Sequence, residues 1–244
     1  MKTVIVDNIK IGPQQPLVFI CGPCVIENKK NTFLVAEKLK ELSEELSLPV
    51  IFKSSYLKAN RLSSNSFQGP GLEKGLEILS LVKDKYDLPI LTDVHCQEEI
   101  SLVARVVDIL QIPAFLCRQT GLVKEAARTG KPINIKKGQF LAPEDMGKII
   151  YKITEEGNEN ILVTERGTSF GYHNLVVDMR SLVIMKKFGY PVVFDATHSI
   201  QLPGALGGKS GGQQEFILPL ARAAVAVGCQ ALFIETHPWP IKAL

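Results

Sequence analysis

The stretch LPILTDVHCQEEISLVARVVDILQIPAF, Leu88 to Phe115, decides the fold. It opens with an apolar run at Pro89–Asp93, passes through a helical pattern at Gln97–Arg105, and returns to a second apolar run at Val107–Ile112. Both runs are continuous rather than alternating, the pattern of parallel strands buried on both faces. A strand, a helix and a second such strand form a βαβ unit, since parallel neighbours need a crossover connection.

The same alternation continues in both directions. Further apolar, β-branched-rich runs lie at Leu17–Ile20, Val50–Lys53, Pro132–Lys136, Ile161–Glu165, Val192–Asp195 and Ala231–Glu235, which makes eight. Thr32–Ser47 carries Phe33, Val35, Ala36, Leu39, Leu42 and Leu46 on one helical stripe. Gly71–Tyr86, Gln119–Thr129, Pro143–Glu156, Asn174–Lys187 and Gly211–Val227 read as helices between the other strands, seven helices in all. Eight strands alternating with helices predict an α/β fold, a (β/α)₈ barrel occupying residues 1–244 as one domain. Thr3–Val6 and Ile9–Ile11, joined at Asp7-Asn8, predict a short N-terminal β-hairpin within residues 1–12 that caps the barrel bottom. The chain stops nine residues after the eighth strand, leaving no sequence for an eighth helix. Either the chain continues or the barrel leaves one side open.

Composition agrees with a globular protein. Of 244 residues, 45% are hydrophobic and 22% charged, which excludes disorder and supplies a large core. No apolar run approaches the roughly 18–20 residues of a membrane helix. Lys2, Asp7 and Lys10 interrupt the first segment, which therefore is no signal peptide. Five widely spaced cysteines are too few for a disulfide scaffold and suit a reducing cytoplasm. A net charge of +3 does not imply nucleic acid, although cations gathered in one cleft would suit small anions.

In this fold the active site sits at the C-terminal ends of the strands. Those ends carry Cys21-Gly-Pro-Cys24; Lys53, Ser54 and Ser55, then Lys58, Asn60 and Arg61; Asp93 and His95; Gln111 and Arg118; Lys136 and Lys137; Glu165 and Arg166; Asp195 and His198; Glu235 and His237. Six cations, Lys53, Lys58, Arg61, Arg118, Lys136 and Arg166, would be costly in one mouth unless anions fill it. Guanidinium forks and ammonium charges suit phosphate and carboxylate. The alternative is a set of solvated loop charges.

Cys24, His198 and Glu235 match no local metal motif, yet the first, seventh and eighth strands are neighbours in a closed barrel. A thiolate, an imidazole and a carboxylate together suit a divalent ion such as Zn²⁺ or Fe²⁺. The alternative leaves Cys24 a small buried hydrophobe, His198 a satisfied histidine and Glu235 paired with a cation. Cys21 and Cys24 also spell a dithiol redox motif, but Ile20 precedes them and the chain far exceeds that small domain. GALGGKS at Gly204–Ser210 is one residue short of a P-loop. Gly204–Gly212 reads instead as a mobile loop over the mouth, with Lys209 a candidate contact. Trp239, between two prolines, is expected to pack the last loop, and Cys96, Cys117 and Cys229 to sit in the core.

FKSSYLKANR (Phe52–Arg61), QIPAFLCRQT (Gln111–Thr120), NIKKGQFLAP (Asn134–Pro143), TERGTSFGY (Thr164–Tyr172), DATHSIQLPG (Asp195–Gly204) and ETHP (Glu235–Pro238) together resemble the 3-deoxy-D-manno-octulosonate 8-phosphate synthase family, from about residue 17 to the last residue. The resemblance implies a cytoplasmic (β/α)₈ enzyme, usually a homotetramer, with neither nucleic acid nor membrane as partner. It would condense phosphoenolpyruvate with D-arabinose 5-phosphate and water, giving the eight-carbon sugar acid phosphate of lipopolysaccharide synthesis and inorganic phosphate. By matched position, Lys136 and Arg166 would hold the phosphoenolpyruvate phosphate, Lys53 and Lys58 its carboxylate, and Ala114 and Phe115 would line the pocket beside Gln111. Asn60, Arg61, Ser63 and Asp93 would bind the sugar phosphate, and Arg118 would reach a phosphate in a neighbouring subunit's site. Lys58, Asn60, Asp93 and His198 would stand nearest the chemistry.

Cys24 implies the metal-dependent class, whose metal-free counterpart carries Asn there. Cys24, His198 and Glu235 would then bind a divalent ion of the Zn, Fe or Mn kind. Leu62 stands where the family has Ser or Thr, so Ser63 or Ser64 would have to compensate, and Gln68 replaces a common basic residue. The family's fourth ligand, an Asp about eleven residues past this Glu, would fall two residues beyond Leu244. A chain ending there would bind metal weakly; one that continues would not. The sister enzyme making the seven-carbon acid from erythrose 4-phosphate typically has Lys-Pro-Arg-Thr-Ser where this chain has Lys58-Ala-Asn-Arg61. A non-catalytic anion-binding barrel is the remaining alternative from another class.

Overall fold

A computed structural model describes residues 1–59, 67–204 and 211–240. A two-stranded antiparallel hairpin, β1 (Val4–Val6) and β2 (Ile9–Ile11), comes first. The barrel strands are β3 (Val18–Gly22), β4 (Val50–Lys53), β5 (Ile90–Asp93), β6 (Ile109–Ile112), β7 (Ile133–Lys136), β8 (Ile161–Glu165), β11 (Val192–Asp195) and β14 (Ala231–Glu235). They pair in parallel, and β14 returns to β3 to close the ring. Outside run α1 (Lys29–Glu45), α2 (Leu72–Tyr86), α3 (Gln97–Val106), α4 (Thr120–Arg128), α5 (Met146–Thr154), α6 (Arg180–Lys186) and α7 (Ile217–Val227). This is the expected (β/α)₈ barrel with seven helices among the described residues.

Two cores follow from the strand pleat, which sends alternate side chains to opposite faces. One lies between strands and helices. The other fills the barrel's interior and its lower end, where Val4, Val6, Ile9 and Ile11 of the hairpin pack with Val18, Ile51, Leu91 and Leu162. Val4 and Ile11 are completely buried, so the hairpin is a plug closing the bottom, as its apolar alternation predicts.

Two predicted helices are shorter than the sequence pattern suggests. Asn174–Lys187 begins not as helix but as β10 (Leu175–Val176), which pairs antiparallel with β9 (Thr168–Ser169), and α6 starts only at Arg180. Asp178 explains the late start: its carboxylate accepts from the Arg180 backbone N at 2.9 Å, a side-chain contact that competes with helix. Gly211–Val227 likewise opens with β13 (Gly211–Gly212), paired with β12 (Gln201–Leu202), before α7 begins at Ile217. That pairing draws together the two ends of the predicted mouth loop; Lys209 and the rest of residues 205–210 lie outside the described residues. Two smaller expectations are corrected. Cys96 is exposed rather than in the core, because it caps the first turn of α3, and Trp239 is 46% exposed rather than packed. Cys117 and Cys229 are buried as expected.

Candidate functional site

The C-terminal rims of the strands enclose a cavity of about 280 Å³. Of the predicted residues, Cys24, Lys53, Lys58, Asp93, Gln111, Ala114, Phe115, Lys136, Arg166, His198 and Glu235 all line it. Arg118 is exposed and outside this wall. Asn60, Arg61 and Ser63 lie outside the described residues.

Gly22 lets β3 approach β4 at the first rim. A Cβ there would sit 1.9 Å from the Lys53 backbone O, so a side chain cannot be placed without moving the strand. Lys53 is buried, and its Nζ donates to the Cys24 backbone O at 2.9 Å. The same ammonium lies 3.6 Å from Asp93 and 3.7 Å from Glu235. Burial alone would favour the neutral amine, but Asp93 above all, with Glu235 and Asp195, holds the proton on.

Asp93 anchors a polar ladder inside the barrel. Ser55 donates its hydroxyl to Asp93, and Gln111 Nε2 donates to Asp93 at 2.6 Å. Gln111 in turn accepts from Asn134 at 2.8 Å, and Asn134 from Thr164 at 2.6 Å. The chain of bonds crosses four successive strands, so each amide has one orientation only. Burial opposes the Asp93 charge, yet Lys53 and Lys136 outweigh it and bring the carboxyl down to about 2.

On the opposite wall, Lys136 Nζ donates to Asp195 at 2.6 Å and sits 3.7 Å over the Phe233 ring. Asp195 is fully buried and also accepts from His198 N at 2.9 Å and faces His198 Nδ1 at 2.8 Å. Despite burial, His198 and Lys136 hold Asp195 well below the usual carboxylate range. His198 responds in the other direction: burial disfavours its charge, but Asp195 and Glu235 raise it to about 10. Arg166 is buried, and its Nη1 has no hydrogen-bond partner. A guanidinium nitrogen left so beside a cavity is a donor waiting for an anion.

Cys24, His198 and Glu235 each bring one ligand atom to within 4.8 Å of the others. The donors fit a divalent ion. Asp195 occupies His198 Nδ1, which leaves Nε2 aimed at Glu235, 3.2 Å away; a carboxylate behind the imidazole is the usual support of a histidine ligand. Glu235 Oε1 is buried, 3.2 Å from His198 Nε2 and 3.7 Å from Lys53 Nζ, with no further hydrogen-bond partner. A thiol, an imidazole and a carboxylate form the mixed donor set of borderline metals. The dithiol alternative fares poorly, because burial pushes the Cys21 thiol up to about 12, away from a reactive thiolate.

Sequence reasoning placed Ser55 at a strand end without giving it a role, and missed Asn134 and Thr164. Ser55 follows Lys53 at the strand period of two, and the other two are polar residues inside apolar runs, a signal that could have found them. It also gave Asp195 no role, although that carboxylate orients both Lys136 and His198.

A family model described as the DAHP synthetase I family matches residues 2–244. The chain belongs to this family. Curated relatives within it carry the name 2-dehydro-3-deoxyphosphooctonate aldolase. That of Geobacter metallireducens is 58% identical over 243 residues, covering 100% of this chain and 89% of the relative. That of Geotalea uraniireducens is 58% identical over 244 residues, covering 100% and 90%. That of Magnetococcus marinus is 56% identical over 239 residues, covering 98% and 83%. The chain thus aligns over nearly all of its length with relatives carrying that name.

Proposed function

We propose that this protein is a 3-deoxy-D-manno-octulosonate 8-phosphate synthase of the metal-dependent class, the activity also named 2-dehydro-3-deoxyphosphooctonate aldolase. The observation that carries the reading is one cavity in which buried Lys53, Lys136 and Arg166 converge on the Cys24–His198–Glu235 cluster. Phosphoenolpyruvate offers a phosphate and a carboxylate to such cations. Lys136 has three N–H donors and uses one on Asp195, leaving others for the phosphate beside Arg166 Nη1. Lys53 and Lys58, on the wall near Glu235, take the carboxylate. Ala114 and Phe115 line the side wall, and Asp93, held ionised, is an acceptor for sugar hydroxyls of arabinose 5-phosphate, with Asn60, Arg61 and Ser63 completing that subsite.

The reaction joins C3 of the enolpyruvate to the sugar aldehyde carbon while water oxygen adds at C2. The C2–O bond to phosphate then breaks, and inorganic phosphate leaves. Holding both anions in line removes the entropy of encounter, and the fixed cations stabilise the charge that develops on the departing phosphate. Cys24, His198 and Glu235 would hold a divalent ion, which supplies Lewis-acid polarisation of the aldehyde or water. Asp195 keeps His198 oriented throughout.

The enzyme acts in the cytoplasm on the way to lipopolysaccharide, as a homotetramer in which Arg118 serves a neighbouring site. Five free cysteines, the exposed position of Arg118 and the exposed rings of Phe115, Phe140, Phe170 and Tyr172 support that reading. Among the described residues no helix is long and apolar enough to cross a membrane. Comparing arabinose 5-phosphate with erythrose 4-phosphate as co-substrate tests the assignment. The synthase reading requires a clear preference for the five-carbon sugar; preference for erythrose 4-phosphate would hand the protein to the sister activity.

A further inference from the structure

The two cations assigned to the phosphate, Lys136 and Arg166, are each joined in sequence to a residue that turns to the other face of the barrel. β7 and β8 run parallel with Lys136 opposite Thr164, and Lys137 N donates to Thr164 O at 2.9 Å, so the ladder continues past the strand end. The strand period of two sends Lys136, Thr164 and Arg166 inward and Lys137 and Glu165 outward. Both outward residues are completely buried, and their charges lie 3.5 Å apart. Lys137 is among the largest wholly buried side chains of the protein.

A buried ion pair is poor value as a source of stability, because well-packed apolar residues usually do as well. What this pair does is tie two turns together. Lys137 Nζ donates to Thr168 Oγ1 at 2.9 Å and reaches the Leu141 backbone O at 3.4 Å. Glu165 Oε1 accepts from Gly167 N at 2.7 Å, and Ser169 N donates to Gln139 O at 2.9 Å. The Lys137–Thr168 and Ser169–Gln139 bonds, with the Lys137–Glu165 pair, draw the turn after Lys136 toward the turn after Arg166, while the Leu141 and Gly167 bonds each close one turn on itself. Burial raises the Glu165 pKa against the pull of Lys137, and its Oε2 has no partner. Arg166 Nη1, one residue along, is also free of hydrogen bonds, so its aim is set by the backbone that carries it rather than by bonds at that nitrogen.

We propose that Lys137 and Glu165 are positioning residues that fix the spacing of Lys136 and Arg166 as a clamp for one phosphate group. The proposal rests on the functional reading above, in which that phosphate belongs to phosphoenolpyruvate. Neither residue touches the substrate; each acts through its neighbour in sequence.

The test uses the double variant Lys137→Met/Glu165→Gln. It removes both charges together and leaves an amide oxygen to accept from Gly167 N, so no lone charge is buried. Its melting temperature, its KM for each substrate and its affinity for inorganic phosphate by calorimetry are compared with the parent. The clamp predicts KM for phosphoenolpyruvate and the phosphate dissociation constant both weakened about tenfold or more. The sugar KM should stay within about twofold in a protein that melts close to the parent. A folded double variant with phosphate affinity and phosphoenolpyruvate KM within about twofold of the parent overturns it. Should the double variant not fold, Thr168→Val removes one tie and leaves both charges in place. Weaker phosphate binding in that variant supports the clamp, and unchanged binding overturns it. Failure of the functional reading would look different: the parent would bind phosphate yet turn over no phosphoenolpyruvate, and the phosphate measurement would still decide the clamp.

Discussion

Cys21 and Cys24 are three positions apart and have opposite chemical prospects. Cys21 points into the core, where burial keeps its thiol protonated; Cys24 faces His198 and Glu235. Cys21→Ser should therefore keep most activity, whereas Cys24→Ser should lose both bound metal and activity, with elemental analysis and phosphate release as the two readouts. Equal loss in both would return weight to the dithiol alternative. The three ligand candidates were legible as residues at the ends of adjoining strands. The orientation of His198 was not, because it depends on Asp195, whose carboxylate oxygens are directed by contacts made only in the closed barrel. The same holds for the cations: sequence shows their charge and strand position, but Lys53 and Lys136 prove to be paired with Asp93 and Asp195 inside the cavity, leaving the partnerless Arg166 Nη1 as the plainest anion donor there.

At the scale of elements, α3 illustrates how a helix start shapes the rim. Glu99 folds back to accept from the backbone N–H groups of His95 and Cys96, an N-terminal cap that also fixes the loop carrying His95 to the cavity wall. Burial opposes the Glu99 charge, but His95 and Tyr56 outweigh it and lower the carboxyl from its ordinary value near 4.5 to about 2. A lowered carboxyl stabilises the fold fully above its unfolded value and loses that contribution as pH falls toward the folded one. Between pH 7 and pH 3.5 the parent should thus lose on the order of 1 kcal/mol that Glu99→Gln does not lose. Urea unfolding of both proteins at the two pH values measures the difference, and equal acid sensitivity would contradict the cap. Helix α3 was read from sequence almost to the residue because its apolar spacing is regular. The starts of α6 and α7 were overextended because β9, β10, β12 and β13 have only two residues each, too few for a period.

For the whole molecule, closure is the property that joins fold to site. The ring from β3 round to β14 brings Cys24, His198 and Glu235 together from chain positions far apart, and the eight apolar runs alone announced it. The lower end is sealed by the hairpin, with Ile11 completely buried. Ile11→Ala should cost about 2–5 kcal/mol by opening a cavity in the barrel's interior, while leaving KM values unchanged because the site lies at the other end. Thermal unfolding and steady-state kinetics on one preparation check both halves; a large KM change without destabilisation would show that the hairpin is no mere plug.

The most direct measurement follows phosphate released from phosphoenolpyruvate with and without arabinose 5-phosphate, before and after a strong chelator, and again with a divalent metal restored. The predicted result is release only when both substrates are present, abolished by the chelator and recovered with metal. Release that ignores the chelator would contradict the role given to Cys24, His198 and Glu235, and no release with any divalent ion would contradict the synthase itself.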